Sequence, residues 1–230
     1  MTIKRIIITP TKNQGAQMSQ DRLTKLMEKV ERALKSAGQY NDWDDFVPVI
    51  KENSMQTTVY LTDKFEEPNY YNKLCHALMN ANEIEHFTLV INSPGGMLDS
   101  AFMVSNAILS TQASVTAYLA GTVASAATIV ALSCDEVIAS ENLAFMIHNY
   151  SSGMQGKGHE MKARQIFFDN ELNKSFNQYY LGFLSQEEIT DVIEGKDIWL
   201  NCEEVNERWQ AKKKMKQPKV LHKKFYGVIQ

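Results

Sequence analysis

Five positions in this 230-residue chain carry the residue types that acyl-transfer chemistry uses. Ser125 stands in Gly121-Thr122-Val123-Ala124-Ser125-Ala126-Ala127, after an apolar run over 114–120 and before small residues that reach Ser133. That pattern predicts a strand, a turn and a helix, with the serine at the turn. The first N–H groups of a helix lack intrahelical partners, and the macrodipole there favours negative charge. An oxygen nucleophile and the oxyanion it creates would both gain from that place. The other reading of a serine at a helix start is a cap.

Gly95-Gly96 lies between an apolar run and the start of a helical pattern. Glycine lets a backbone approach a ligand closely and turn its N–H groups toward it; the same pair after Pro94 also suits a simple tight turn. With the N–H of Ala126, the N–H of Gly96 could form an oxyanion hole. His148 ends the apolar segment Phe145-Met146-Ile147, which would bring its ring to the rim of a sheet, where a histidine can equally be structural. Asp197 sits in the turn-like Gly195-Lys196-Asp197. A serine hydroxyl is a weak nucleophile without an adjacent base, and the base needs an acid to fix its tautomer. The three side chains therefore form a site only if the fold brings them together.

The elements that would position them alternate regularly. Strands are expected at 57–61, 87–91, 114–119, 136–139 and 144–147. Helices are expected at 69–82, with Leu74, Leu78 and Met79 inward, and after Gly96, with Ala101, Val104, Ala107 and Ile108 on one face. Strands separated by helices predict a largely parallel α/β sheet with right-handed crossovers. The uninterrupted apolar run 87–91 suits a sheet covered on both faces. Beyond His148 a glycine-rich polar segment, 151–158, precedes a long helix over about 159–183 that carries Ile166, Phe167, Leu172, Phe176, Tyr179, Tyr180 and Phe183. Such a stripe is core, or it meets a neighbouring subunit. Ser185-Gln186-Glu187-Glu188 and Asn201-Cys202-Glu203-Glu204 are capping-box patterns that open two further helices.

Bulk properties bound the classes. Hydrophobic residues at 44% and aromatics at 10% fit a globular chain with one substantial core. No apolar run approaches the ~18 residues of a membrane span, and the apolar part of the first ten residues is too short for a signal-peptide core. Three scattered cysteines, Cys75, Cys134 and Cys202, argue against a disulfide framework or a CxxC metal site and suit a reducing compartment, the cytoplasm (a host's, if the chain is viral). Residues 1–45 lack the strand–helix rhythm and read as an N-terminal extension, with an amphipathic helix at about 19–37 carrying Leu23, Leu26, Met27, Val30, Ala33 and Leu34. The net charge of −3 conceals an asymmetry: from Ala211 onward there are seven lysines and no acids. Residues 211–230 read as a Lys-rich, solvated tail, and nucleic-acid binding is not expected from it.

Five motifs, in order, resemble the ClpP family, the proteolytic subunit of the ATP-dependent Clp protease. They are Ile91-Asn92-Ser93-Pro94-Gly95-Gly96, the Gly-x-x-Ala-Ser-Ala turn at 121–126, Met146-Ile147-His148, the glycine-rich segment with its long helix (similar to the family's handle), and Lys196-Asp197-Ile198-Trp199-Leu200. The resemblance covers about residues 47–209. It implies a ClpP/crotonase-like fold of repeated ββα and βαβ units with a projecting handle helix, and a protease domain over residues 46–210. It implies Ser125 as nucleophile, His148 as general base, Asp197 as the acid that orients it, and the Gly96 and Ala126 N–H groups as oxyanion donors. It further implies a ring homo-oligomer of stacked heptamers and unfolded protein or peptide as substrate. An AAA+ unfoldase of the ClpX or ClpA type would be the partner. The peptidase itself needs no cofactor or metal, since ATP belongs to that partner, and no membrane is involved.

The chain departs from the family pattern in places. Ala126-Ala127 follows the serine where Met-Gly is usual, and Asn149-Tyr150 follows the histidine where Gln-Pro is usual. The axial-loop segment before Thr57 is nearly absent, so residues 1–45 would be a propeptide, a replacement gate or a docking element. Two other classes remain at this point. One is a catalytically silent ClpP-like ring subunit. The other is a crotonase-type acyl-CoA enzyme, which the Ala131–Asp135 segment also resembles, though no glutamate pair stands at the active-site turns.

Overall fold

Alternation decides which face of each strand enters the core. In β3 (His86–Ser93), Phe87, Leu89, Ile91 and Ser93 are buried while Thr88 and Val90 are half-buried. The computed structural model describes residues 49–51, 55–153 and 155–215. The expected N-terminal helix at about 19–37 and the distal part of the lysine tail lie outside the described residues. Besides β3 the sheet contains β1 (Val49–Lys51), β2 (Gln56–Leu61), β4 (Ser114–Ala124), β5 (Glu136–Ala139), β6 (Ala144–Ile147) and β7 (Ile198–Leu200). The strand order is β1-β2-β3-β4-β6-β7, with β5 beside β4. The central pairings are parallel, and the antiparallel β1 and β7 close the two edges.

Helices α1 (Asn72–Asn80), α2 (Leu98–Ser110) and α3 (Ala126–Ser133) make the connections between these strands. The expected α/β class with a mostly parallel sheet is therefore present. A 3-10 turn at Pro68–Tyr71 opens α1, with the proline at a first-turn position where its missing N–H costs nothing. Leu74 and Leu78 point inward as expected, but Met79 is 68% exposed, one position off the buried stripe. In α3 all eight residues are buried, so the helix is apolar all round because it lies inside the protein. Burial of Ile129, Val130 and Leu132 contributes about 1.5–3 kcal/mol apiece.

Three further differences from the sequence expectation have physical causes. The face of the sheet opposite α3 is only half-covered. Register aligns Tyr60, Val90, Tyr118 and Ile138 in one row across β2, β3, β4 and β5, and Ile138 is 52% exposed. An apolar strand run thus does not by itself require two covered faces. The aromatic stripe of the long helix α4 (Gly158–Tyr180) is split. Leu172, Phe176, Tyr179 and Tyr180 are buried, whereas Ile166, Phe167 and Phe168 on the earlier turns are exposed.

The lysine run is not wholly a solvated end. After α5 (Gln186–Ile193), helix α6 (Cys202–Met215) carries it inward. Buried Lys212 donates to the carbonyls of Tyr179 and Leu181 at 2.8 and 3.0 Å, where α4 ends with orphan acceptors and the negative end of its dipole. Both capping boxes form as the sequence indicates. Ser185 and Glu188 exchange bonds at 3.1 and 2.8 Å, and Asn201 and Glu204 at 3.0 and 2.9 Å.

Candidate active site

The site is built by a fault in the β3–β4 ladder. Register runs Ile91 to Leu119 and then Ser93 to Val123, so β4 gains two residues on its partner. Asn92 holds the excess by accepting the Thr122 N–H at its Oδ1 (2.9 Å). Gly121, at φ 129°, is bare where a Cβ would come within 2.9 Å of that oxygen. This bulge divides β4: its first part pairs with β5 and its last three residues with β6. The second pairing continues into the turn, where the Ser125 N–H donates to the Met146 carbonyl at 2.9 Å. Ser125 and the end of β6 are thus held side by side.

Ser125 has φ 55° and ψ −128°, the one non-glycine residue of positive φ among the described residues. A side chain in that region costs on the order of 1–3 kcal/mol and persists only where its surroundings enforce it. Its hydroxyl makes no capping bond to α3. It lies 2.7 Å from Nε2 of His148, the first residue after β6. The cap reading of Ser125 is therefore replaced by contact with an imidazole. Both residues are half-buried.

The glycine turn presses on the same point. Gly95 has φ 94°, and a Cβ there would stand 2.6 Å from the Ser125 Cβ and 2.9 Å from the Ala126 nitrogen. Gly96 forms a parallel bridge with Phe65, in which Phe65 N–H donates to Gly95 O (2.7 Å) and Met97 N–H donates to Phe65 O (2.8 Å). In that pattern the N–H of Gly96 points away from Phe65. Neither it nor the Ala126 N–H has an acceptor among the described residues. One of these donors follows the serine in the chain and the other follows Gly95, which packs against that serine; unpaired donors of this kind suit an oxygen on which charge develops.

Asp197 stands differently. The antiparallel β6–β7 register pairs Ile147 with Ile198, and one step further it sets Asp197 across from His148. Yet the Asp197 side chain is exposed and makes no hydrogen bond among the described residues, so the structure brings Ser125 and His148 together and leaves Asp197 beside them, unbonded. The residues after His148 are tied down more firmly. Asn149 Nδ2 donates to the Ile193 carbonyl at 2.7 Å, at the end of α5. Tyr150 donates to Asp169 on α4, and Gln165 Nε2 donates to both at 2.7 Å. Asp169 as acceptor holds the Tyr150 phenol protonated, its pKa above the ordinary value.

Sequence reasoning did not single out Asn92 as the clamp of the bulge, nor Tyr150 and Asp169 as a tie to α4. Asn92 lies inside the Ile91–Gly96 motif, where a polar side chain at a strand end is the available signal. No local signal joins Tyr150 to Asp169. Of the three thiols, burial pushes Cys75 up to about 11, Cys134 is buried, and half-buried Cys202 donates to the Ala139 carbonyl at 3.5 Å.

A serine on a strained strand-to-helix turn, bonded to histidine on an α/β sheet, has the arrangement by which a hydroxyl is activated for attack on a carbonyl. The chain belongs to the Clp protease family, whose model matches residues 41–208. The fold is also that of a solved structure of a ClpP1 mutant from Listeria monocytogenes, at a TM-score of 0.54 and 21% identity over 67% of this chain and 88% of that one. Among curated proteins no sequence matches the chain. No helix among the described residues is long and apolar enough to cross a membrane.

Proposed function

We propose that the chain is a ClpP-like serine endopeptidase acting on unfolded polypeptides. Ser125 Oγ attacks the scissile carbonyl while His148 Nε2 takes its proton. The Gly96 and Ala126 N–H groups receive the oxyanion, and His148 returns the proton to the leaving amine. Water then attacks the acyl-enzyme, with His148 again as base. Asp197 orients the His148 ring from across the β6–β7 register. The observation that carries this reading is the 2.7 Å contact between Ser125 Oγ and His148 Nε2 at a strained turn whose hydroxyl caps nothing.

Assembly belongs to the same proposal. The chain forms a ring homo-oligomer, in stacked heptamers, whose chamber admits unfolded chains delivered by an AAA+ unfoldase in the cytoplasm. The exposed row of Tyr60, Tyr118 and Ile138 and the exposed Ile166, Phe167 and Phe168 of α4 support subunit contacts, since contiguous apolar surface of this kind marks interfaces. Residues 1–45 precede the protease domain as a propeptide or docking element, and the last residues form a basic tail.

One observation favours a second reading, a catalytically silent ring subunit: the Asp197 carboxylate is exposed and unbonded. A fluorophosphonate probe with intact-mass analysis and peptide mapping separates the two. The peptidase reading expects one adduct, on Ser125, absent in Ser125→Ala and His148→Ala. An assembled, folded sample without any adduct would establish the silent subunit instead.

A further inference from the structure

Thr128, three residues after the serine, donates its hydroxyl to the Ser125 carbonyl at 2.6 Å, and its N–H reaches the same oxygen at 3.0 Å. The Thr128 Oγ1 also lies 2.7 Å from the hydroxyl of Tyr180, the last residue of α4. A threonine hydroxyl has one proton. With that proton committed to Ser125 O, the phenol must supply the other. The order is therefore fixed: Tyr180 O–H to Thr128 Oγ1, and Thr128 O–H to the Ser125 carbonyl. Tyr180 is 2% exposed, and burial raises its pKa, so the phenol keeps the proton this order requires.

The carbonyl so held belongs to the same planar peptide unit as the Ala126 N–H. In a trans unit the two groups point in opposite directions. A relay that draws the Ser125 C=O toward Thr128 and Tyr180 thereby turns the Ala126 N–H the opposite way, and the Ala126 nitrogen faces the Gly95 turn, 2.9 Å from where a Gly95 Cβ would stand. We propose that Thr128 and Tyr180 are positioning residues that aim the Ala126 N–H at the developing oxyanion, with the end of α4 as their anchor. The proposal rests on the peptidase reading for its catalytic consequence. It also accounts for the strained φ of Ser125, since two donors on one carbonyl oppose relaxation of the turn.

Turnover of a fluorogenic peptide tests it, with Tyr180→Phe, Thr128→Val and Thr128→Ser compared with the parent. A donor aimed only at transition-state charge affects kcat and leaves ground-state binding alone. Thr128→Val is expected to lower kcat about tenfold and Tyr180→Phe roughly threefold, with KM within about twofold. Thr128→Ser restores the hydroxyl and recovers kcat, and the pH midpoint of kcat/KM stays at its parent value, because the bond between Ser125 and His148 is untouched. Parent-like kcat in Thr128→Val, a change confined to KM, or no recovery in Thr128→Ser overturns the proposal.

A parent that neither turns over peptide nor labels at Ser125 would count against the peptidase reading instead. The relay is then read from amide exchange at Thr128, whose N–H shares the Ser125 carbonyl. Exchange about tenfold faster in Tyr180→Phe supports the relay, and an unchanged rate overturns it.

Discussion

The two ends of the candidate site are held in different ways. At Ser125 and His148, backbone and side chain are both determined. The β4–β6 ladder continues into the Ser125 N–H, Gly95 packs against the serine, two donors hold its carbonyl, and the hydroxyl and imidazole are in contact. At Asp197 only the backbone is determined, by the β6–β7 register and by the turn in which Lys196 N–H donates to the Asp191 carbonyl at 2.9 Å. Its side chain is exposed. The difference teaches that strand register delivers three residues to one place, but side-chain geometry needs a second layer of contacts, which this chain supplies to two of them. It also separates two kinds of cost. Substitution at the serine end should disturb folding and chemistry together, and substitution at Asp197 should disturb chemistry alone.

The largest effect expected from this comparison is at Asp197. If its carboxylate orients His148 during turnover, Asp197→Ala should lower kcat on the order of a thousandfold or more. The unfolding free energy should stay within about 0.5 kcal/mol of the parent, because an exposed, unbonded side chain supports little. Paired peptidase assays and denaturant unfolding measure both. A variant that keeps parental turnover would show that the Ser125–His148 pair acts without an orienting acid.

Gly95→Ala should show the opposite signature. Its Cβ would overlap the Ser125 Cβ at 2.6 Å and the Ala124 carbonyl at 2.7 Å, from a φ of 94° that alanine avoids. Strain and overpacking together should cost about 3 kcal/mol of stability. Because the displaced atoms are those of the turn, probe labelling of Ser125 should fall roughly a hundredfold, in line with loss of an oxyanion donor. Gly121→Ala should also cost stability, since alanine avoids its φ of 129°, but less, because its nearest obstacle is the Asn92 side chain at 2.9 Å and not backbone. Equal losses of stability in Gly95→Ala and Asp197→Ala would remove the distinction between the two ends.

How much of this was legible follows the same division. β4 runs on to Ala124, five residues past the expected end at 119. The turn and helix around Ser125, the glycine turn and the end of β6 are local patterns, and each is where the sequence sets it. So are both capping boxes, whose partners are three residues apart. What one position cannot reveal is a partner far along the chain. Tyr180 to Thr128, Tyr150 to Asp169 and Lys212 to the end of α4 are side-chain contacts across the fold. The aromatic stripe on α4 showed only that some neighbour was needed. The bulge at Asn92 and Gly121 escaped for another reason: register is a property of two strands, and Gly121-Thr122 after the apolar run 114–120 reads as the end of the strand, not as the point where its partner changes from β5 to β6. Likewise β7 is three residues long and reads as loop until β6 pairs with it.

The smallest expected effect concerns the frame around Asp197, and it is set by pH. Glu188 caps α5, and its two carboxylate oxygens receive Arg208 of α6 at 2.9 and 2.8 Å, so the helices on either side of the Asp197 segment are clamped together. The Arg208 guanidinium, with the Ser185 backbone N–H, pushes the Glu188 carboxyl down to about 2 from its ordinary 4.5. A carboxyl depressed in the folded state stabilises it fully above the unfolded pKa, and that contribution is lost as pH falls through the folded pKa. Glu188→Gln should therefore lower the unfolding midpoint near pH 6 by about 2–4 °C, equivalent to about 1 kcal/mol for a pair that is partly exposed. The gap between parent and variant should narrow below pH 4.5 and close near pH 2. A gap that stays constant across that range would mean that Arg208 stabilises through packing and not through the charge on Glu188. Turnover of Glu188→Gln at pH 6 should fall by no more than about twofold, because the β6–β7 register still delivers the Asp197 backbone to His148 without the clamp.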